Sequence, residues 1–199
     1  LMDHSSRIGH GEQSPSHGAR LLELATKIDP DNIDVLRNLS VLYQNSHQHE
    51  KGIDIGRLIY KKATTFLEKI MTSGVLLRGL LAVGGHWNEV NQVFQEQLEY
   101  FSQLIEENPT DLSRQNARYL LNAAFFQPYL RDDLAGNRYI QNNLARIGQT
   151  NSCTHLEDLA ARFRTRSPNP SQNSQRPLKI GYISACLRQH SVGWLARWL

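Results

Sequence analysis

Helical hairpins recurring every 34 residues, then one buried strand and one amphipathic helix, predict a mostly α chain with an α/β region opening at its end. Three observations carry this. Gly18 and Gly52 stand 34 residues apart, each inside a stretch whose apolar residues recur at helical spacing. Ser167-Pro168-Asn169-Pro170-Ser171-Gln172-Asn173-Ser174-Gln175-Arg176-Pro177 then offers no apolar area to offset ordering entropy, and its prolines restrict their neighbours, so residues 167–177 read as a linker. Beyond it Leu178, Ile180, Tyr182 and Ile183 form a short β-branched and aromatic run of the kind that makes a buried parallel strand.

Residues 1–17 are rich in Ser, Gly and His without periodicity and read as a loop or disordered end. The spacing of His4, His10 and His17 matches no zinc pattern, so no metal site is expected. From Gly18 a helix carries Ala19, Leu22 and Ala25 on one register and Leu21, Leu24 and Ile28 on another, ending at Asp29-Pro30-Asp31-Asn32. Val35, Leu36, Leu39, Leu42 and Tyr43 mark a second helix, and after a turn at 45–49 a third spans Gly52 to Lys62. The 34-residue spacing is the tetratricopeptide period, with Leu36, Leu39 and Tyr43 as groove-filling residues, Gly52 at the close helix approach and Pro30 as the stop.

A degenerate copy runs from Thr65 to Pro109. Its second helix begins near Gly85-His86-Trp87-Asn88-Glu89-Val90, but Val90 lies 38 residues after Gly52, so the spacing has slipped. Phe94, Leu98, Phe101 and Ile105 continue that helix to Asn108-Pro109, its Phe and Trp residues predicted as packing core. His47 and His49 read as a solvated turn. Residues 18–109 are therefore the repeats, and 110–166 a further helical block. In that block Asn116, Tyr119, Leu120, Ala123, Ala124 and Phe126 suit a buried helix, Gln127-Pro128-Tyr129 breaks it, 137–147 supplies another, and 156–163 a last short one.

Composition excludes several classes. With 199 residues, 40% hydrophobic and 21% charged, the chain can bury a core and is not intrinsically disordered. A net charge of +3 and a pI near 9.0 are only mildly basic. No acid follows Asp158, whereas Arg162, Arg164, Arg166, Arg176, Lys179, Arg188 and Arg197 do; aromatic residues are not interleaved with them, which argues against nucleic acid as partner. Cys153 and Cys186 lack CxxC spacing, giving a reduced, cytoplasmic expectation. The longest apolar run, Val75 to Val83, is broken by Arg78 and falls well short of the ~20 residues that span a bilayer.

The end of the chain carries the chemistry. Ser191 can cap a helix bearing Val192, Leu195 and Leu199, and the loop before it, holding Arg188 and His190, sits at the carboxyl end of the predicted strand, where open α/β sheets bind ligands. An imidazole with pKa near ~6.5 suits proton transfer at neutral pH. No G-x-G-x-x-G follows Gly181, so a nicotinamide or flavin site is not supported, and Ser184 and Cys186 have no base beside them in sequence. One strand and one helix cannot bury their own faces, so the region at 178–199 is expected to be the truncated start of a domain.

The strings Ile180-Gly181-Tyr182-Ile183-Ser184 and Leu187-Arg188-Gln189-His190-Ser191-Val192-Gly193 resemble the opening of the catalytic region in the O-linked N-acetylglucosamine transferase and SPINDLY family. The family usually has Asp where this chain has Cys186, which puts that carboxylate's role in doubt here. The resemblance implies a Rossmann-like, GT-B type glycosyltransferase joined by transitional helices, here 110–166, to tetratricopeptide repeats that bind acceptor proteins. It implies His190 as the catalytic residue and Arg188 and Ser184 as substrate contacts. No cofactor is implied. The donor is a nucleotide sugar, UDP-N-acetylglucosamine or GDP-fucose, held mainly by a second domain beyond Leu199, so this fragment alone is expected to be inactive. The alternative is a non-enzymatic tetratricopeptide adaptor.

Overall fold

The computed structural model describes residues 2–11, 14–154, 156, 157 and 161, and among these it is mostly helical with no strand. The chain divides into two units between Glu157 and Asp158, ahead of the linker expected at 167–177. That linker, the strand at 178–183 and the helix from Ser191 lie outside the described residues, as does most of the short helix expected at 156–163.

In the first unit the elements are α1 (Met2–Ser6) with a π-helical turn at Arg7–Gly11, α2 (Pro15–Ile28), α3 (Ile33–Asn45), α4 (His49–Lys62), α5 (Phe66–Val83), α6 (Trp87–Glu107), α7 (Arg114–Leu120), α8 (Gln127–Leu130) and α9 (Leu134–Thr154). They pair as hairpins, α1 and its π turn on α2, α3 on α4, α5 on α6, and each hairpin stacks on the next through α2 against α3 and α4 against α5. The first helices also meet directly, α3 against α5.

Each crossing is built on small residues. Ser5 Oγ donates to the Gly18 carbonyl at 2.8 Å, and Ser40 Oγ to the Gly52 carbonyl at 2.7 Å, in both cases buried. A Cβ on Gly52 would stand 3.0 Å from the Ser40 backbone oxygen and 2.7 Å from Gln44 Cγ. Ser73 occupies the matching place in α5, but there the partner is the long side chain of Gln97, whose Nε2 donates to Ser73 Oγ at 2.8 Å. The 34-residue period thus marks where backbones touch, as helical repeats require.

Caps agree with the sequence. Asn32 accepts from the Val35 N–H at 3.1 Å to open α3, and Thr65 and Glu68 form a reciprocal capping box on α5. Of the two registers predicted for α2, Ala19, Leu22 and Ala25 are the buried one, while Leu24 and Ile28 face solvent.

Several expectations need correction. Residues 2–11 and 15–17 are helical instead of a loop, because Ser5 bonds to Gly18 and Gly9 lies against Leu42; tertiary packing uses the small residues that hide a helical pattern. Phe94 and Phe101 are core, but Trp87 is 58% exposed at the first position of α6, outside the face that α5 covers. The buried helix expected through Phe126 ends at Leu120 and leaves Phe125 exposed. Gln127-Pro128-Tyr129 begins the short α8 instead of breaking a helix, since proline in a first turn removes only an N–H that has no intrahelical acceptor. His49 opens α4 and is half-buried, so only His47, with φ of 61°, fits the exposed-turn reading.

The last helices fold back onto the third hairpin. Ile70, Phe101, Leu104, Leu120, Ala123, Ile140, Leu144 and Ile147 form one buried cluster drawn from α5, α6, α7, the turn after α7, and α9. No helix among the described residues is long and apolar enough to cross a membrane.

Candidate functional site

Ser184, Arg188 and His190, the residues singled out from sequence, lie outside the described residues, as does Cys186. What the described helices build is a groove between the N-terminal halves of α3 and α5, closed on one side by α7. It encloses a cavity of about 450 Å³ whose lining includes Asp34, Arg37, Glu68, Met71, Thr72 and Asn116.

The repeat period accounts for its floor. Arg37 on α3 and Met71 on α5 are 34 residues apart, so they hold the same place in successive hairpins and touch, Arg37 Nη1 lying 3.5 Å from Met71 Sδ. The Arg37 guanidinium is buried, and Asp34 one turn earlier compensates it, Oδ1 standing 2.8 Å from Nη2. The Tyr119 ring, 6.0 Å from the Arg37 guanidinium carbon, covers its far side. Tyr119 from α7 donates its hydroxyl to the Met71 carbonyl at 3.1 Å. Burial pushes that hydroxyl up to about 12, against a smaller opposing pull from Arg37, so it remains a neutral donor at physiological pH.

The rim is polar and largely committed. Glu68 accepts from the backbone N–H groups of Thr64 and Thr65 at 2.9 and 3.1 Å, and the Thr64 bond leads in holding its carboxyl below the usual range. Asp31 pairs with Lys62, and Thr72 donates to the Glu68 carbonyl at 2.8 Å. Among the described residues the half-buried Asn116 side chain makes no hydrogen bond, so its amide is open to a ligand. At the other end of the same helices Asn45, the last residue of α3, accepts from Arg78 Nη2. Burial lowers the pKa of Arg78.

No described nucleophile sits beside a base here, and no group of three or more His, Cys, Asp or Glu among the described residues could hold a metal ion. His4 is exposed and His17 Nδ1 lies 2.6 Å from Ser14 Oγ, so neither has a metal-site partner. The groove offers an apolar strip flanked by amide and guanidinium donors, which is binding chemistry for a hydrogen-bonding, extended ligand.

Sequence reasoning passed over Arg37, Asn45, Arg78 and Asn116 because polar residues in a helical pattern read as a solvated face. The usable signal was the period itself, since residues 34 apart in such a repeat share a face. The chain matches no protein-family model, no curated protein and no solved structure.

Proposed function

We propose that this chain belongs to a protein O-glycosyltransferase, with the helical hairpins presenting an acceptor polypeptide to a catalytic region that begins at Leu178. The enzyme moves N-acetylglucosamine, or fucose, from a nucleotide sugar to Ser or Thr hydroxyls. The observation that carries the reading is the string 180–193, with its fixed order of Gly181, Tyr182, Ser184, Arg188 and His190. Helical hairpins at the 34-residue period, ending in a groove of hydrogen-bonding side chains, support the acceptor-binding half of it.

The chemistry needs an acceptor oxygen held against the anomeric carbon and a stabilised diphosphate leaving group. His190 is the group assigned to the proton or to positioning the acceptor, and Arg188 and Ser184 contact substrate. In the full-length gene product, His190→Ala is expected to lower sugar transfer to protein by about two orders of magnitude or more, the scale of a lost acid–base group. Transfer of radiolabelled sugar from UDP-N-acetylglucosamine and from GDP-fucose measures this, and near-wild-type rates in the variant reject the role.

One observation favours a second reading, a non-enzymatic adaptor. The groove is built entirely from residues between Asp31 and Asn116 and borrows nothing from the catalytic string. Peptide binding without transfer from either donor by the full-length protein selects this reading.

A further inference from the structure

α5 is enclosed on most of its surface. Leu76, Leu77 and Leu80 are buried against α4 and α6, and a Cβ on Gly79 would meet Ile53 and Gln44 at 2.9 and 3.0 Å. Arg78 stands inside this apolar run, half-buried on the side shared with α3. The described arginines that are buried or half-buried are Arg37, Arg57, Arg78 and Arg131. Three of them face a carboxylate: Arg37 faces Asp34, Arg57 faces Glu89 and Asp54, and Arg131 faces Asp133. Arg78 faces none among the described residues, only the neutral Asn45.

A guanidinium has five N–H donors in a fixed fork, and a partly buried one without an anion leaves most of them unused and its charge uncompensated. Asn45 spends its oxygen on Arg78, which leaves its own NH₂ free to donate beside the fork. Arginine fork and amide together present parallel donors to two oxygens of one planar group.

We propose that Arg78 and Asn45 bind the carboxylate of an aspartate or glutamate side chain in an extended polypeptide laid across α3 and α5. This rests on the reading of the groove as an acceptor-binding surface and adds what it selects for. The scale fits. Met71, in the cavity, and Arg78 lie seven residues apart on α5, about 10 Å at the helical rise, which three residues of extended chain cover. A segment whose backbone meets Asn116 and the Arg37 end therefore brings a side chain three residues on to Arg78.

The competing role for Arg78 is structural, as a cation at the C-terminal end of the α3 dipole. Fluorescence anisotropy on the whole chain, with two short fluorescein-labelled Ser/Thr/Ala peptides differing only in one glutamate or glutamine, separates the two. The glutamate peptide is expected to bind about tenfold tighter at low salt, the advantage shrinking as salt rises. Arg78→Gln is expected to bring the two peptides to parity, Asn45→Ala to reduce the difference and Arg78→Lys to keep part of it, with circular dichroism melts confirming that each variant is folded. Equal binding of both peptides by the wild type overturns this inference and leaves the groove reading standing. Absence of binding by either peptide overturns both. A glutamate preference that survives Arg78→Gln, with only a lower melting temperature, assigns the arginine to the α3 terminus and overturns the inference.

Discussion

The first two hairpins and the third solve the same packing problem differently. In the first two, a buried serine on one helix donates to a glycine carbonyl on the other, so backbones cross at the closest distance side chains allow. In the third, the serine is retained as Ser73, but its partner is the buried Gln97, and α5 and α6 run to 18 and 21 residues against 13 and 14 for α3 and α4. The longer pair has apolar surface left over, and α7 and α9 cover it. The glycine period is thus the mark of a short hairpin that stacks indefinitely, and its loss marks the place where stacking gives way to a terminating cluster.

The largest way to break that contrast is to empty the terminating cluster. Phe101 is fully buried between α5, α7 and α9, and Phe101→Ala is expected to cost about 3–5 kcal/mol in urea unfolding, the usual range for a buried aromatic truncated to alanine. A loss below about 1 kcal/mol would mean that α7 and α9 only rest on α6, and that the third hairpin is as self-contained as the second.

Two glycines one turn apart in α4 test the other side. Gly52→Ala places a methyl 3.0 Å from the Ser40 backbone oxygen, which cannot move without shifting α3, and a loss of about 1–3 kcal/mol is expected from overpacking. Gly56→Ala meets nothing closer than 3.4 Å, so helix propensity prevails and a gain of up to about 1 kcal/mol is expected. Thermal melts of the pair should move in opposite directions. If both lose stability, the close crossing is not confined to the position 34 residues after Gly18.

How much of this is legible in the sequence follows from the same contrast. The period gives α2, α3 and α4 because Gly18, Gly52, Leu36, Leu39 and Tyr43 have one structural reason each, and Leu36, Leu39 and Tyr43 are buried as expected. It fails at α1, where Ser5 and Gly9 do the packing and an apolar stripe is absent, and at α8, where a proline opens a turn that reads as a break. The groove was hidden for a related reason. Arg37 and Arg78 are charged residues on long helices, and only the stacking of α3 on α5 shows that one is buried with its own carboxylate and the other is half-buried with none.

The smallest expected effect lies on the face opposite that groove, where α4 and α6 tie the two kinds of hairpin together. Arg57 Nε and Nη2 donate to the two oxygens of Glu89 at 2.8 Å each, and one helical turn further on Tyr60 donates to Glu96. The arginine's hydrogen bonds, first among the causes, hold the Glu89 carboxyl below the ordinary glutamate range. A depressed folded-state pKa means that the stabilisation is present above the unfolded value, near ~4.3, and disappears as pH falls through the lower folded value. Both side chains are about a third exposed, so solvent screens the pair and roughly 0.2–1 kcal/mol is expected of it. Arg57→Met should therefore lower stability by that amount at pH 7 and leave it nearly unchanged at pH 3. Melts at the two pH values in low salt check the difference. An equal loss at both would place the arginine's contribution in the packing of its aliphatic stem, which does not titrate, and would make the join between the second and third hairpins apolar like the joins within them.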